Sequence, residues 1–250
     1  MNEHDARRAL PTLWLTAFLG IAFARLALYL AAERFRRPSP ERARTTLQWW
    51  ARWACRWWRL RVEVIGSPLD EPCVYVSNHR TYLDIAVLAG ILPAAFLSRA
   101  DVARWPLIGP IARLTGAVLV EREDSTDRLR AARTLLGRMH SSSVVVFPEG
   151  TTTGERLPAP FRSGIFRLVQ WRTAPIVPIT LRYSDRRAYW VDDITVGQHV
   201  RRRVLAGTPL AVNVHIGEPL RAQDFAGVDE LAAAAYAAVC QPIEVSGELV

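Results

Sequence analysis

The sequence predicts an α/β fold, a mixed and largely parallel sheet flanked by helices, with an N-terminal two-helix membrane-associated segment in front of it. Three observations predict this. From residue 60 onward, short runs rich in valine, isoleucine and leucine alternate with segments whose apolar residues recur at helical spacing. Two of those runs are followed directly by polar clusters, one at Asn78 and one at Pro148, and strand ends in open α/β sheets are where ligands bind. Ahead of residue 60 the chain is first apolar and then crowded with tryptophan and arginine, a composition suited to a lipid interface.

In chain order, residues 10–32 are almost wholly apolar, broken by Arg25. As a helix they would cover roughly 35 Å, enough for a bilayer core. Arg7 and Arg8 lie on one side and Arg34, Arg36 and Arg37 on the other. Positive charge at both ends favours a half-inserted or re-entrant helix over a through-going span, which stays open. Pro38-Ser39-Pro40 breaks the chain. A second helix follows over 41–60, with Trp49, Trp53 and Trp57 stacked at intervals of four, Trp50 and Trp58 beside them, and Arg52, Arg56 and Arg59 interleaved. Tryptophan with arginine fits a headgroup zone; a tryptophan-rich core helix is the competing reading. Residues 1–60 are thus expected to anchor the domain formed by 61–250. Its strands are expected at 61–65, 73–77, 94–98, 117–121, 143–147, 176–183 and 210–216, its helices at 81–91, 102–114, 125–139, 163–171 and 229–241. The tail after Pro242 is expected to lack order.

Composition narrows the function. All 32 basic residues among the 250 are arginine and the net charge is +8. Without lysine there is no P-loop lysine and no Schiff-base chemistry. The basicity suits nucleic acid, an anionic membrane surface or a phosphorylated substrate. Cys55, Cys73 and Cys240 are odd in number and far apart, so they make neither a disulfide framework nor a zinc site. His140, His199 and His215 have no metal-ligand spacing, and no metal is expected. No Gly-x-Ser-x-Gly elbow occurs, which argues against a serine hydrolase.

The polar cluster Asn78-His79-Arg80-Thr81-Tyr82-Leu83-Asp84 carries the chemistry. Histidine is suited to proton transfer near neutral pH. Asp84 lies five residues on, and on one continuous helix the two side chains would be about 140° apart. They meet only if His79 lies in the turn and Asp84 on the first turns of the helix. Bonded to one ring nitrogen, Asp84 would then leave the other free as a base. A capping or packing histidine is the plainer reading. The second cluster, Phe147-Pro148-Glu149-Gly150-Thr151-Thr152, follows another strand and would open on the same edge.

These two motifs, in this order, resemble those of the 1-acylglycerol-3-phosphate (lysophosphatidate) acyltransferases within the glycerolipid acyltransferase superfamily, Asn-His-x4-Asp and Phe-Pro-Glu-Gly-Thr. The resemblance covers roughly residues 60–185, and bacterial members carry a similar two-helix anchor. It implies acyl transfer from acyl-CoA or acyl-carrier protein to a lysophospholipid hydroxyl, most directly lysophosphatidate to phosphatidate. Another lysolipid acceptor, such as a lyso-ornithine lipid, is the alternative. No cofactor beyond the acyl donor and no nucleic-acid partner are expected. The implied location is the inner membrane, with the catalytic domain on its cytoplasmic face.

On this reading His79 is the general base and Asp84 orients it. Amides at the start of the 81–91 helix would stabilise the oxyanion. Asn78 would brace the turn and Arg80 could face phosphate. Gly116-Ala117-Val118-Leu119-Val120-Glu121-Arg122 resembles a second family block, with Arg122 at phosphate; a surface arginine paired with Glu121, Glu123 or Asp124 is the alternative. Glu149 would bond a glycerol hydroxyl or an arginine, Gly150 would let backbone approach the ligand, and Thr151 and Thr152 would donate hydrogen bonds. Arg162, in Phe161-Arg162-Ser163-Gly164, stands where the family usually has lysine. Pro178 would shape the acyl-binding region. The Tyr189-Trp190-Val191-Asp192-Asp193 stretch and His199 lie outside the general motifs. A basic membrane-surface protein without activity would explain the charge but not the pairing of His79 with Asp84.

Overall fold

The computed structural model describes residues 16–17, 20–25, 27–29, 31–32, 39–104, 109, 112, 117–121, 124–191, 194–206 and 208–245. The seven strands lie where the sequence places them: β1 Leu60–Ile65, β2 Val74–Ser77, β3 Ala95–Arg99, β4 Val118–Val120, β5 Val144–Val146, β6 Ile176–Tyr183 and β7 Leu210–Ile216. They form one sheet in the order β1-β7-β6-β2-β5-β3-β4. Every pairing is parallel except β6 with β7. In the centre, Val76 of β2 stands beside Val146 of β5 and Pro178 of β6. β2 and β5 therefore end side by side on one edge, and β4 ends on that edge three strand positions away.

Side-chain alternation along the strands divides the core into two layers. Tyr75, Val145, Val177, Ile179 and Leu181 face α1 (Pro40–Trp57) and α2 (Leu83–Ile91). Val74, Val76, Val144, Val146 and Ile176 face α3 (Ser125–Arg138), α4 (Gly164–Arg172) and α6 (Val228–Val245). Each helix start has a local cause. Ser39 caps α1, accepting the Arg42 amide, with a proline in the first turn. Asp124 caps α3, accepting the amides of Thr126 and Asp127.

Pro178 is tolerated in a central strand because of what faces its nitrogen. Ile176 directs its amide to Leu220, so Pro178, two residues on, turns its donorless nitrogen to the same side. There its own carbonyl accepts Gly217 while the regular β6–β7 pairing begins only at Ile179.

Three expectations need correction. The last helix does not stop before Pro242 but runs to Val245, because Ile243 continues the buried row Leu231, Ala235, Val239. A helix absent from the sequence reading, α5 (Val196–Ala206), contains the Arg201–203 run. Residues 100–104 form a 3-10 turn, and most of the helix expected over 102–114 lies outside the described residues.

Residues 1–15, much of 18–38 and Arg122 also fall outside them. Among the described residues no helix is long and apolar enough to cross a membrane. Arg25 does not stand alone: its guanidinium lies 4.2 Å from the Trp49 ring centroid and 5.5 Å from that of Trp53. α1 packs on α2 through buried Ala51 and Cys55. It also reaches the far end of α2, where Arg52 Nε donates to the Gly90 carbonyl at 2.7 Å and Gln48 to Ile91. A guanidinium on the last carbonyls of a helix satisfies orphan acceptors and complements the dipole. A boundary at residue 60 would separate helices that share one core.

Candidate active site

The site begins where β2 runs out. Asn78, fully buried, donates through Nδ2 to the Leu181 carbonyl at 2.9 Å and accepts the Leu181 amide on Oδ1 at 2.7 Å. Its side-chain amide thus continues the β2–β6 pairing for one more rung after the main chain has turned away. That turn carries His79 out of the sheet.

His79 Nδ1 lies 2.8 Å from Asp84 Oδ2; the histidine side chain is 18% exposed and the aspartate 0%. A carboxylate only accepts, so Nδ1 carries the hydrogen and Nε2 is left with its lone pair. The five-residue spacing closes as expected, with His79 in the turn and Asp84 in the first turn of α2. Asp84 Oδ2 also accepts the amides of Arg80 at 2.6 Å and Thr81 at 3.0 Å, and Oδ1 accepts the Tyr183 hydroxyl at 2.6 Å. The imidazole lies flat on Phe147, ring centroids 4.1 Å apart. Asp84 is thus anchored by three donors besides the ring it orients.

The second motif holds the first by its main chain. Glu149 Oε1 accepts the His79 amide at 2.6 Å and Oε2 accepts the Ala159 amide at 2.8 Å. The Thr153 amide donates to the His79 carbonyl at 3.1 Å. Both backbone polar groups of His79 are therefore bound by the 149–153 loop. Glu149 is buried, and burial pushes its carboxyl above the usual range against the pull of the His79 and Ala159 amides and the nearby Arg80 charge. Gly150 has a φ of +80°, which lets the chain reverse after Glu149.

Several expected substrate contacts are revised by this geometry. Glu149 spends both oxygens on backbone amides, not on a hydroxyl or an arginine. Arg80, 1% exposed, spends Nη1 on the carbonyls of Thr153 and Glu155 and Nη2 on that of Arg156, so it knits the loop instead of facing phosphate. Asn78 is used up on Leu181. The Arg80 and Thr81 amides are taken by Asp84, and the Asp84 amide bonds the Thr81 carbonyl, so these helix-start donors do not make the oxyanion site. Thr152 Oγ1 donates to the Trp190 carbonyl at 2.6 Å. Thr151 is exposed, and its hydroxyl turns to the Thr152 carbonyl. Arg162 is tied by its amide to the Pro148 carbonyl while its side chain is exposed. Pro178 is buried in β6.

Residues outside the general motifs close one side of the site. The Trp190 amide bonds the Arg80 carbonyl and Arg186 bonds the Gly154 carbonyl. Tyr82, beside the dyad, meets Trp58 and Trp190 edge-on and bonds His199 Nδ1 through its hydroxyl at 3.1 Å. Sequence reasoning missed Tyr183 altogether. It ends an apolar strand 99 positions from Asp84, and no local pattern marks such a partner.

The chain matches the family model described as Acyltransferase over residues 61–182. It is 31% identical over 209 residues to a lyso-ornithine lipid O-acyltransferase of Pseudomonas aeruginosa, covering 80% of this chain and 79% of that protein. It is 36% identical over 116 residues to a chloroplastic 1-acyl-sn-glycerol-3-phosphate acyltransferase of Brassica napus, covering 45% of this chain and 33% of that protein. The fold is that of the 1-acyl-sn-glycerophosphate acyltransferase PlsC from Thermotoga maritima, with a TM-score of 0.72, 19% identity and 98% of each chain covered.

Proposed function

The chain belongs to the lysolipid O-acyltransferase family, and from that premise we propose that it moves an acyl chain from a thioester donor to the hydroxyl of a lyso-ornithine lipid. The observation that carries the chemistry is the 2.8 Å contact between His79 Nδ1 and Asp84 Oδ2. His79 Nε2 takes the proton of the acceptor hydroxyl as its oxygen attacks the thioester carbonyl. The tetrahedral oxyanion collapses with cleavage of the C–S bond, and the thiolate leaves with the proton returned by His79. No covalent enzyme intermediate is needed. The amides of Thr151 and Thr152 bond no acceptor in the loop and are the backbone donors we assign to the oxyanion.

Two features favour the lyso-ornithine acceptor. The relative named for it aligns over most of both chains, whereas the lysophosphatidate relative aligns over less than half of this one. Of the arginines assigned to a substrate phosphate, Arg80 is committed to three carbonyls. Lysophosphatidate is the second reading, favoured by the shared Asn-His-x4-Asp and Phe-Pro-Glu-Gly-Thr motifs and by an exposed Arg162 beside the Pro148 turn. We place the protein at the cytoplasmic face of the inner membrane, its tryptophan-bearing α1 and the residues before it at the lipid surface, with acyl-CoA or acyl-carrier protein as donor.

The test supplies acyl-CoA or acyl-carrier protein with lyso-ornithine lipid and lysophosphatidate side by side, using wild type and His79→Ala. Faster turnover of lyso-ornithine lipid that depends on His79 is expected. Preference for lysophosphatidate overturns the acceptor, and turnover unaffected by His79→Ala overturns the mechanism.

A further inference from the structure

Among the described residues, Tyr183 is the one side chain bonded to the Asp84 oxygen that His79 does not use. Its hydroxyl donates to Oδ1 at 2.6 Å, while Oδ2 takes His79 and two amides. Phenol and carboxylate are both buried. The two amides come from the same short turn as Asp84 and are fixed by it; Tyr183 comes from β6, the strand that pairs with β2. A hydrogen bond to an ionised oxygen disperses its charge, and does so more strongly away from water. The less charge Asp84 concentrates, the less it stabilises an imidazolium on His79.

We propose that Tyr183 is a positioning residue of the dyad, whose hydroxyl on Asp84 Oδ1 sets how firmly His79 holds the proton it takes from the acceptor. The proposal rests on the His79–Asp84 reading above and adds a third member to it. Burial, and after it the Asp84 charge, keep the Tyr183 phenol well above its ordinary value, so it remains a donor throughout the working range. The other groups that face this chain are the Cys55 thiol of α1 and Tyr189 against Tyr183, and Glu149 and Arg80 around His79. The Cys55 thiol is pushed up to about 12 by burial and stays neutral. Glu149 is met by two amides and by Arg80. Neither competes with Tyr183 for Asp84.

The experiment is an NMR titration of the imidazole rings in the full chain, with the His79 signal among five histidines identified by its loss in His79→Ala. In Tyr183→Phe the His79 midpoint should move to higher pH by roughly half to one unit, and the acid limb of the turnover profile should move with it. An unchanged or lowered midpoint overturns the proposal, even if Tyr183→Phe is slower or less stable. Should the phenylalanine variant not fold, 3,5-difluorotyrosine at 183, a stronger donor, should move the midpoint down; no downward shift overturns it. Full turnover in His79→Ala would remove the dyad mechanism, and the titration would still decide whether Tyr183 controls the ring.

Discussion

Glu149 Oε1 accepts the main-chain amide of His79 at 2.6 Å, so the second signature loop grips His79 by its backbone. The adjacent bond from the Thr153 amide to the His79 carbonyl completes the grip. Two motifs that read in sequence as base and substrate pocket are, in three dimensions, one hydrogen-bonded assembly around His79.

Replacing His79 by alanine should lower turnover roughly 10²–10⁴-fold with little change in melting temperature, because the ring is partly exposed and Asp84, on losing it, keeps the Arg80 and Thr81 amides and the Tyr183 hydroxyl. Asp84→Asn should fail differently. An amide NH2 on the Oδ2 side would confront the Arg80 and Thr81 amides and the His79 ring. Both stability, by roughly 1–3 kcal/mol, and turnover should fall. Paired kinetics and thermal melts separate the two.

Glu149→Gln turns one acceptor into a donor facing either the His79 or the Ala159 amide. Turnover should drop while the apparent affinity for acceptor is kept, the opposite of what loss of a substrate contact would give; steady-state titration of acceptor distinguishes them. The pH dependence has a definite sign. Because burial raises the Glu149 carboxyl above its ordinary 4.5, the folded state holds that proton more tightly than the unfolded one. Its contribution to stability is full below the ordinary value and is lost as pH rises through the raised folded value. Wild type should therefore lose stability relative to Glu149→Gln as the pH is raised from 4.5. Denaturant melts of both proteins across that interval check it; parallel curves would contradict it.

Asn78→Ala should cost roughly 1–3 kcal/mol for each of the two Leu181 backbone groups it leaves buried and unpaired. Asn78→Asp should also destabilise, since a carboxylate would face the Leu181 carbonyl in place of the donated Nδ2. Chemical denaturation measures both.

Removing residues 1–60 should yield an aggregating chain, because Ala51 and Cys55 leave the core, Trp58 leaves Tyr82 and the last carbonyls of α2 lose Arg52. Removing only 1–38 keeps α1 and its cap Ser39. That shorter deletion should stay folded by circular dichroism and detach from anionic vesicles in high salt. Continued co-sedimentation would show that α1 holds the membrane without the residues before it.

Most of the sheet was legible because each strand is a short apolar run bounded by turn residues, and burial on both faces of a parallel sheet requires that pattern. The His79–Asp84 pair was legible because strand end, turn and helix start fall within a few residues of one another. What was not legible is what each neighbour bonds. Glu149, Arg80 and Asn78 carry groups that suit a ligand equally well, and only the packed structure shows them satisfied by Ala159, Thr153 and Leu181. α5 was hidden because Arg201, Arg202 and Arg203 in succession break the apolar spacing that marks the other helices. Tyr183 was hidden because its partner lies on another element.

Pairing β5 with β2 brings residues 70 positions apart to the same place, and pairing β6 with β2 brings Asn78 to a partner 103 positions on. A ribosome-bound chain that has emerged only through α3 has its histidine and aspartate but nothing to clasp them. Competence for acyl transfer must therefore arise late in synthesis, after slow non-local strand pairing.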